Sequence, residues 1–200
     1  MKIKVWSYEE EYRSIRKKIL KEVDKVFSSG HLILSKNVRT LELNFSRYLK
    51  LKYGIGVNSG TDAIQIALMS AKIGRGDEVI TVPNTAVPTV SAIVSCGAKP
   101  VFVDINEDDY LIDVNKIEGA INKKTKAIIP VNLYGQCADY DKILAIAKKN
   151  KLLVIEDCAQ SAGSFYKNKP SGSFGHISAF SFIQLKIWEP MEMEVSLEHL

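Results

Sequence analysis

The chain has 200 residues, of which 46% are hydrophobic and 25% are charged, and its formal net charge is +4 at pH 7. This composition is ordinary for a globular domain with a sizeable core, and no apolar run is long enough to span a bilayer. The charge is mild and its lysines are spread along the chain, so we expect neither a nucleic-acid partner nor a membrane partner.

The first fifty residues are predicted to be helical. Apolar residues recur at helical spacing over 9–28, and Ser28-Ser29-Gly30 ends that segment. A second helix is expected over about 36–49, where the apolar side chains again share one stripe.

From residue 53 onwards, short apolar strands alternate with helices. We expect strands over 53–57, 78–82, 100–104, 126–131, 152–157 and 176–181, and helices over 61–70, 87–96, 115–121 and 139–150. This alternation predicts an α/β fold with a mainly parallel sheet layered by helices on both faces. Ligands of such sheets bind at the carboxyl ends of the strands, so the candidate functional residues lie just after each strand.

The cysteines give no sign of a disulfide framework or a zinc site, because Cys96, Cys137 and Cys158 are odd in number and widely spaced. The three histidines form no ligand pattern with them. The N-terminal segment also lacks the apolar core of a signal peptide. We therefore expect no metal, and a reduced, cytoplasmic protein.

The first candidate binding segment is Ser59-Gly60-Thr61, between a predicted strand and a predicted helix. Gly60 allows a ligand to approach the backbone closely, and Thr61 adds a hydroxyl group. The first amides of the helix have no partner within it, and the helix dipole favours an anion there. The segment is thus typical of a phosphate site, although a plain capped helix start explains it equally well.

The second candidate is Asp157, at the tip of the strand predicted over 152–157. A carboxylate there can keep the pyridine nitrogen of pyridoxal phosphate (PLP) protonated, or it can cap a turn or pair with a nearby base. Gln160 can donate a hydrogen bond to a ring substituent, or it can be a surface amide.

The third candidate is Ser181 with Lys186. Ser181 can bind phosphate or can simply end a strand. Lys186 can carry the PLP aldehyde if its amine is partly desolvated, but a lone lysine is usually exposed. The three candidates together fit one ligand, PLP: a helix N-terminus for its phosphate, a carboxylate for its pyridinium and a lysine for its aldehyde.

The sequence at this point resembles the sugar aminotransferases of the DegT/DnrJ/EryC1/StrS type, PLP enzymes of the aspartate aminotransferase fold. The resemblance covers residues 1 to about 182 and is carried by the strings NSGTDA (58–63), GDEVI (76–80), GAKPVFVDI (97–105), IPVNLYGQ (129–136), IEDCAQSAG (155–163) and SAFSF (178–182). It implies that 1–182 comprise N-terminal helices and part of the PLP-binding large domain.

The resemblance also implies roles by position. Gly60 and Thr61 match the phosphate-binding turn, and Ser181 matches a phosphate ligand. Asp157 matches the pyridinium partner and Gln160 its neighbour.

Three further positions bear on the chemistry. Lys186 matches the Schiff-base lysine, and lysine there in place of histidine favours transamination over the dehydratase branch. Ala86 stands where an aromatic residue often covers the cofactor ring. Asn132 stands where histidine is common.

The implied reaction moves an amino group from glutamate, through PLP, to a nucleotide-linked keto-sugar. The strings at 84–89 and 133–136 look most like the branch that acts on dTDP-3-keto-6-deoxyhexoses. Intact family members are expected to be homodimers. The alternatives are a non-catalytic truncated remnant and a nucleotide-sugar dehydratase of the same family.

The chain departs from the family pattern after Phe182. The family expects Tyr-Pro-Thr-Lys-Asn-Leu-Gly and a Gly-rich turn, and here only Lys186 agrees. One T inserted after the Phe182 codon can restore the whole expected string. We therefore hypothesise that 183–200 are a frameshifted tail and that the C-terminal small domain is absent. Resequencing the gene across this codon tests the hypothesis.

Overall fold

The computed structural model describes residues 9–182, which form two compact units. One unit comprises 9–47 and 52–56, and the other comprises 48–51 and 57–182. The two helices expected at the start of the chain are confirmed as α1 (Glu9–Ser29) and α2 (Lys36–Tyr48).

The strand expected over 53–57 is wrong, because this segment is irregular. The amide of Gly56 donates to the Glu42 carboxylate at 2.8 Å. A Cβ at Gly54 would lie 2.6 Å from the Glu42 backbone oxygen. The segment therefore lies against α2, where a side chain and not a neighbouring strand accepts from its backbone.

The second unit follows the predicted alternation of strands and helices. Its elements in chain order are α3 (Gly60–Ser70), β1 (Glu78–Thr81), α4 (Val87–Ser95), β2 (Lys99–Phe102), α5 (Val114–Ala120), β3 (Thr125–Ile128), α6 (Tyr140–Asn150), β4 (Leu153–Asp157), β5 (Phe165–Tyr166), β6 (Lys169–Pro170) and β7 (Ile177–Ala179). The main sheet has the order β2-β1-β3-β4-β7, with all neighbouring strands parallel. The sequence did not predict the antiparallel β5–β6 hairpin or a short 3-10 turn at Leu133–Gly135.

Successive residues of the central strands enter two different cores, as the pleat of a strand requires. One core lies with α5 and α6 and receives Ile80, Ile128 and Val154. The other lies with α3 and α4 and receives Val79, Ala127 and Ile155. The predicted α/β fold, a mainly parallel sheet layered by helices on both faces, is confirmed.

Side-chain caps explain where three helices of this unit begin. Ser59 caps α3, Asp113 caps α5 and Asp139 caps α6, and each side chain accepts from a backbone amide of the first turn. Each such cap stabilises a helix by about 1 kcal/mol. Because α3 is fixed in this way, its first residue lies in a defined place at the carboxyl end of the sheet.

Glu156 fixes the segment that leads into β7. Its side chain is fully buried and accepts hydrogen bonds from the amides of Gly172, Phe174 and Gly175 at 2.6–2.9 Å. Burial raises the pKa of the Glu156 carboxyl, and the three amides act in the opposite direction. The side chain thus joins β4 to the backbone that precedes β7.

We expect Gly172→Ala to destabilise this unit. Gly172 has φ +88°, and a Cβ there would lie 2.3 Å from the ring of Phe180. The loss in unfolding free energy should be about 1–3 kcal/mol, as for a non-glycine residue forced into a strained conformation. Urea denaturation measures it.

Gly119→Ala is the matched control, because a Cβ there would meet nothing within 4 Å. Gly119 lies inside α5, where alanine is favoured over glycine by about 0.5–1 kcal/mol. Equal unfolding free energies for the two variants would contradict the packing described for Gly172.

Candidate active site

Gly60 and Ser181 lie in contact at the carboxyl end of the sheet. A Cβ at Gly60 would lie 2.9 Å from the Ser181 Cβ and 3.4 Å from its hydroxyl oxygen. Only glycine fits this position without displacing Ser181. The start of α3 and the segment after β7, which are 121 positions apart in the chain, therefore form one small polar surface.

The hydrogen bonds at the start of α3 do not use its first two amides, which lie at that surface. Ser59 acts as the N-cap, and its hydroxyl accepts from the Asp62 amide at 3.1 Å. The backbone oxygen of Ser59 accepts from the Ala63 amide at 3.0 Å, which begins the helical ladder. The amides of Gly60 and Thr61 precede that first bond, so they can donate to an anion.

Asp157 ends β4 as a buried carboxylate with 4% exposure. Its Oδ2 accepts from the Thr89 hydroxyl at 2.7 Å, and its Oδ1 accepts from the Ala159 amide at 3.0 Å. Its backbone also bonds to the segment that follows β3: the Asp157 amide donates to the Pro130 oxygen, and the Asp157 oxygen accepts from the Asn132 amide. Both the backbone and the carboxylate of Asp157 are therefore held in place.

Gln160 is held by the turn that follows β3. Its side-chain oxygen accepts from the Tyr134 amide at 3.3 Å, and its backbone oxygen accepts from the Gly135 amide at 3.0 Å. Tyr134 adopts a left-handed φ of 56° there. Because the side-chain oxygen is engaged, the NH2 group of Gln160 is the end that can donate to a ligand.

Ala86 precedes the first residue of α4, and its side chain is exposed and makes no capping hydrogen bond. A methyl group at this position offers little surface for stacking on a ring.

Asn132, the other unusual position, is fully buried in a polar network. Its Oδ1 accepts from the Ala138 amide and from the Tyr140 hydroxyl, both at 3.0 Å, and its NH2 donates to the Ser171 hydroxyl at 2.9 Å. Burial raises the pKa of Tyr140 well above its ordinary value, so the phenol keeps the proton that it donates. Asn132 therefore joins three chain segments.

Sequence reasoning missed Thr89, which is 1% exposed and bonds directly to Asp157. Within 84–89, Ala86 was the only residue assigned a place at the cofactor from the sequence. The available signal was a polar residue in the first turn of a helix that follows a buried strand.

Lys186 lies outside the described residues, as does the rest of 183–200. Its predicted role and the frameshift hypothesis both stay predictions. Within 9–182, no helix is long and apolar enough to cross a membrane.

The arrangement fits PLP in two respects. The close Gly60–Ser181 contact places the first amides of α3 beside a serine hydroxyl, and such a set of donors suits a phosphate group. Asp157 presents a buried carboxylate at the same end of the sheet, which suits a protonated pyridine nitrogen.

Comparison with known proteins assigns most of the described region to one family. The family model described as the DegT/DnrJ/EryC1/StrS aminotransferase family matches residues 13–188. A dTDP-3-amino-3,4,6-trideoxy-alpha-D-glucose transaminase from Micromonospora megalomicea is 46% identical over 183 residues, which cover 92% of this chain and 49% of that protein. A UDP-2-acetamido-2-deoxy-3-oxo-D-glucuronate aminotransferase from Pseudomonas aeruginosa is 45% identical, covering 86% of this chain and 48% of that protein.

The fold agrees with that of a solved aminotransferase structure. A DegT DnrJ EryC1 StrS aminotransferase from Brucella abortus matches with a TM-score of 0.87 at 34% identity, over 92% of this chain and 52% of that one. The chain spans about half the length of the relatives it matches. The expected part of an aspartate aminotransferase fold is thereby confirmed. The chain belongs to the DegT/DnrJ/EryC1/StrS aminotransferase family.

Proposed function

We propose that this chain functions as a PLP-dependent aminotransferase that moves an amino group from glutamate to a nucleotide-linked keto-sugar. The observation that carries the proposal is that the contacting residues Gly60 and Ser181 lie at the same end of the sheet as the buried Asp157. Family membership supports the reaction class. The resemblance to the dTDP-sugar branch favours a dTDP-keto-6-deoxyhexose as acceptor.

Two groups of residues hold the cofactor in this proposal. The amides of Gly60 and Thr61, next to the capping Ser59, bind the phosphate together with the hydroxyl of Ser181. Asp157 holds the pyridine nitrogen in its protonated form. When bound, PLP supplies an aldehyde that takes up the amino group and a ring that withdraws electrons from the reacting carbon.

Three further residues act at the cofactor ring and at the reacting carbon. The NH2 group of Gln160 donates to the ring substituent. Ala86 leaves room over the ring face, because its methyl group is small. Lys186 anchors the aldehyde and then moves the proton at the reacting carbon as general base and acid. The match of the family model up to residue 188 supports this assignment of Lys186.

The assembly and location are proposed on separate grounds. The family resemblance supports a homodimer. The cysteines support the reducing cytoplasm, because Cys96, Cys137 and Cys158 are all free thiols. Burial raises the pKa of Cys137 to about 11, so that thiol stays protonated and unreactive.

The half-reaction with glutamate tests the proposed function. We expect the chain loaded with PLP to release 2-oxoglutarate from glutamate in an amount equal to the bound cofactor. We then expect it to convert a dTDP-keto-6-deoxyhexose, in preference to a UDP-linked keto-sugar, to the amino sugar seen by mass spectrometry. Lys186→Arg is the control and should abolish both steps.

Two results would contradict the proposal. Bound PLP with no 2-oxoglutarate would favour a non-catalytic remnant. Loss of water from the sugar without gain of an amino group would favour the dehydratase alternative.

A further inference from the structure

Thr89 is a buried hydroxyl placed against the carboxylate that the proposed function depends on. It lies in the first turn of α4, is 1% exposed, and its Oγ1 lies 2.7 Å from the Asp157 Oδ2. These residues are 68 positions apart. A buried hydroxyl must be paired, and this one is paired with the group whose charge matters most for the cofactor.

A second hydroxyl fixes the direction of this hydrogen bond. The Thr85 Oγ1 lies 2.7 Å from the Thr89 Oγ1, and either atom can be the donor there. An ionised carboxylate only accepts, so the single hydroxyl proton of Thr89 goes to Asp157. The Thr85 hydroxyl must then donate to Thr89. The result is a directed chain from Thr85 to Thr89 to Asp157.

These two hydrogen bonds act on the charge and the orientation of the Asp157 carboxylate. A hydrogen bond donated to an ionised group favours the charged form, and the donor from Thr85 strengthens it. The Ala159 amide holds the other oxygen of Asp157, so the carboxylate plane is fixed from both sides. A carboxylate oxygen can accept more than one hydrogen bond, so accepting from Thr89 is compatible with accepting from a pyridine N–H.

We propose that Thr89, which accepts a hydrogen bond from Thr85, is a positioning residue that keeps Asp157 ionised and aims it at the cofactor ring. This proposal rests on the proposed function. Because a hydrogen bond to a charged group is lost, Thr89→Val should weaken PLP binding about 10- to 100-fold. It should also move the 15N chemical shift of bound, labelled PLP towards that of a neutral pyridine. Thr89→Ser should restore both.

Thr81→Val is the matched control. Thr81 is fully buried at the end of β1, and its hydroxyl donates at 2.9 Å to the backbone oxygen of Ile129. Thr81→Val therefore removes a similar buried threonine hydroxyl without changing a hydrogen bond to Asp157. An equal effect of Thr81→Val and Thr89→Val on the pyridine 15N shift, or no effect of Thr89→Val, would overturn the proposal.

A readout without PLP separates this proposal from the proposed function. If the wild-type chain binds no PLP, the proposed function fails. The 13C signal of the Asp157 carboxyl in the cofactor-free chain then decides the role of Thr89. Thr89→Val should shift this signal, and Thr89→Ser and Thr81→Val should leave it in place. A signal that Thr89→Val does not shift overturns the positioning role.

Discussion

Asp157→Asn should weaken PLP binding at least about 30-fold, since removing one partner of a buried, hydrogen-bonded charge pair costs about 2–5 kcal/mol. The substitution is nearly isosteric and keeps an oxygen that can accept from Thr89 or Ala159. The loss would therefore come from the missing charge. A neutral amide cannot hold the pyridine nitrogen in its protonated form, so transamination should fall further than binding does.

Absorbance titration with PLP measures this effect. Asp108→Asn is the control, because Asp108 is an exposed carboxylate in the loop between β2 and α5. It should leave the dissociation constant unchanged. Unaltered PLP binding by Asp157→Asn would show that this carboxylate is not the pyridinium partner.

Glu156→Ala should strongly destabilise the second unit. It removes the acceptor for three backbone amides, and each buried donor left without a partner costs about 1–3 kcal/mol. We expect a loss of at least about 3 kcal/mol in unfolding free energy. That is a large share of the roughly 5–15 kcal/mol that stabilises a typical domain.

Chemical denaturation followed by circular dichroism measures the loss. Glu156→Gln should be intermediate, because its amide retains one acceptor oxygen. Glu107→Ala changes an exposed glutamate and should be neutral. If Glu156→Ala were as stable as Glu107→Ala, Glu156 would not hold the segment before β7.

The fold was largely predictable because its signals are local. Apolar strands such as 78–82 and 152–157 alternate with helices such as 139–150, and each pattern is visible within a short stretch of sequence. The strand expected over 53–57 failed for a physical reason. The amide of Gly56 donates to the side chain of Glu42, 14 positions earlier, and no local sequence pattern indicates such a partner.

The site was only partly predictable, because its geometry is non-local. Asp157, Gly60 and Ser181 could be chosen from their places at strand and helix ends. That Gly60 and Ser181 lie in contact needed the fold. Thr89 was missed because its role depends entirely on a contact with Asp157, 68 positions away.

The central claim is that this sheet end binds PLP through its phosphate as well as its ring. Parallel titrations of the wild-type chain with PLP and with pyridoxal, which lacks the phosphate, test that claim most directly. Phosphate binding by helix amides and a hydroxyl predicts that PLP binds at least about 100-fold more tightly. Equal affinity for the two compounds, or no binding of either, would contradict it.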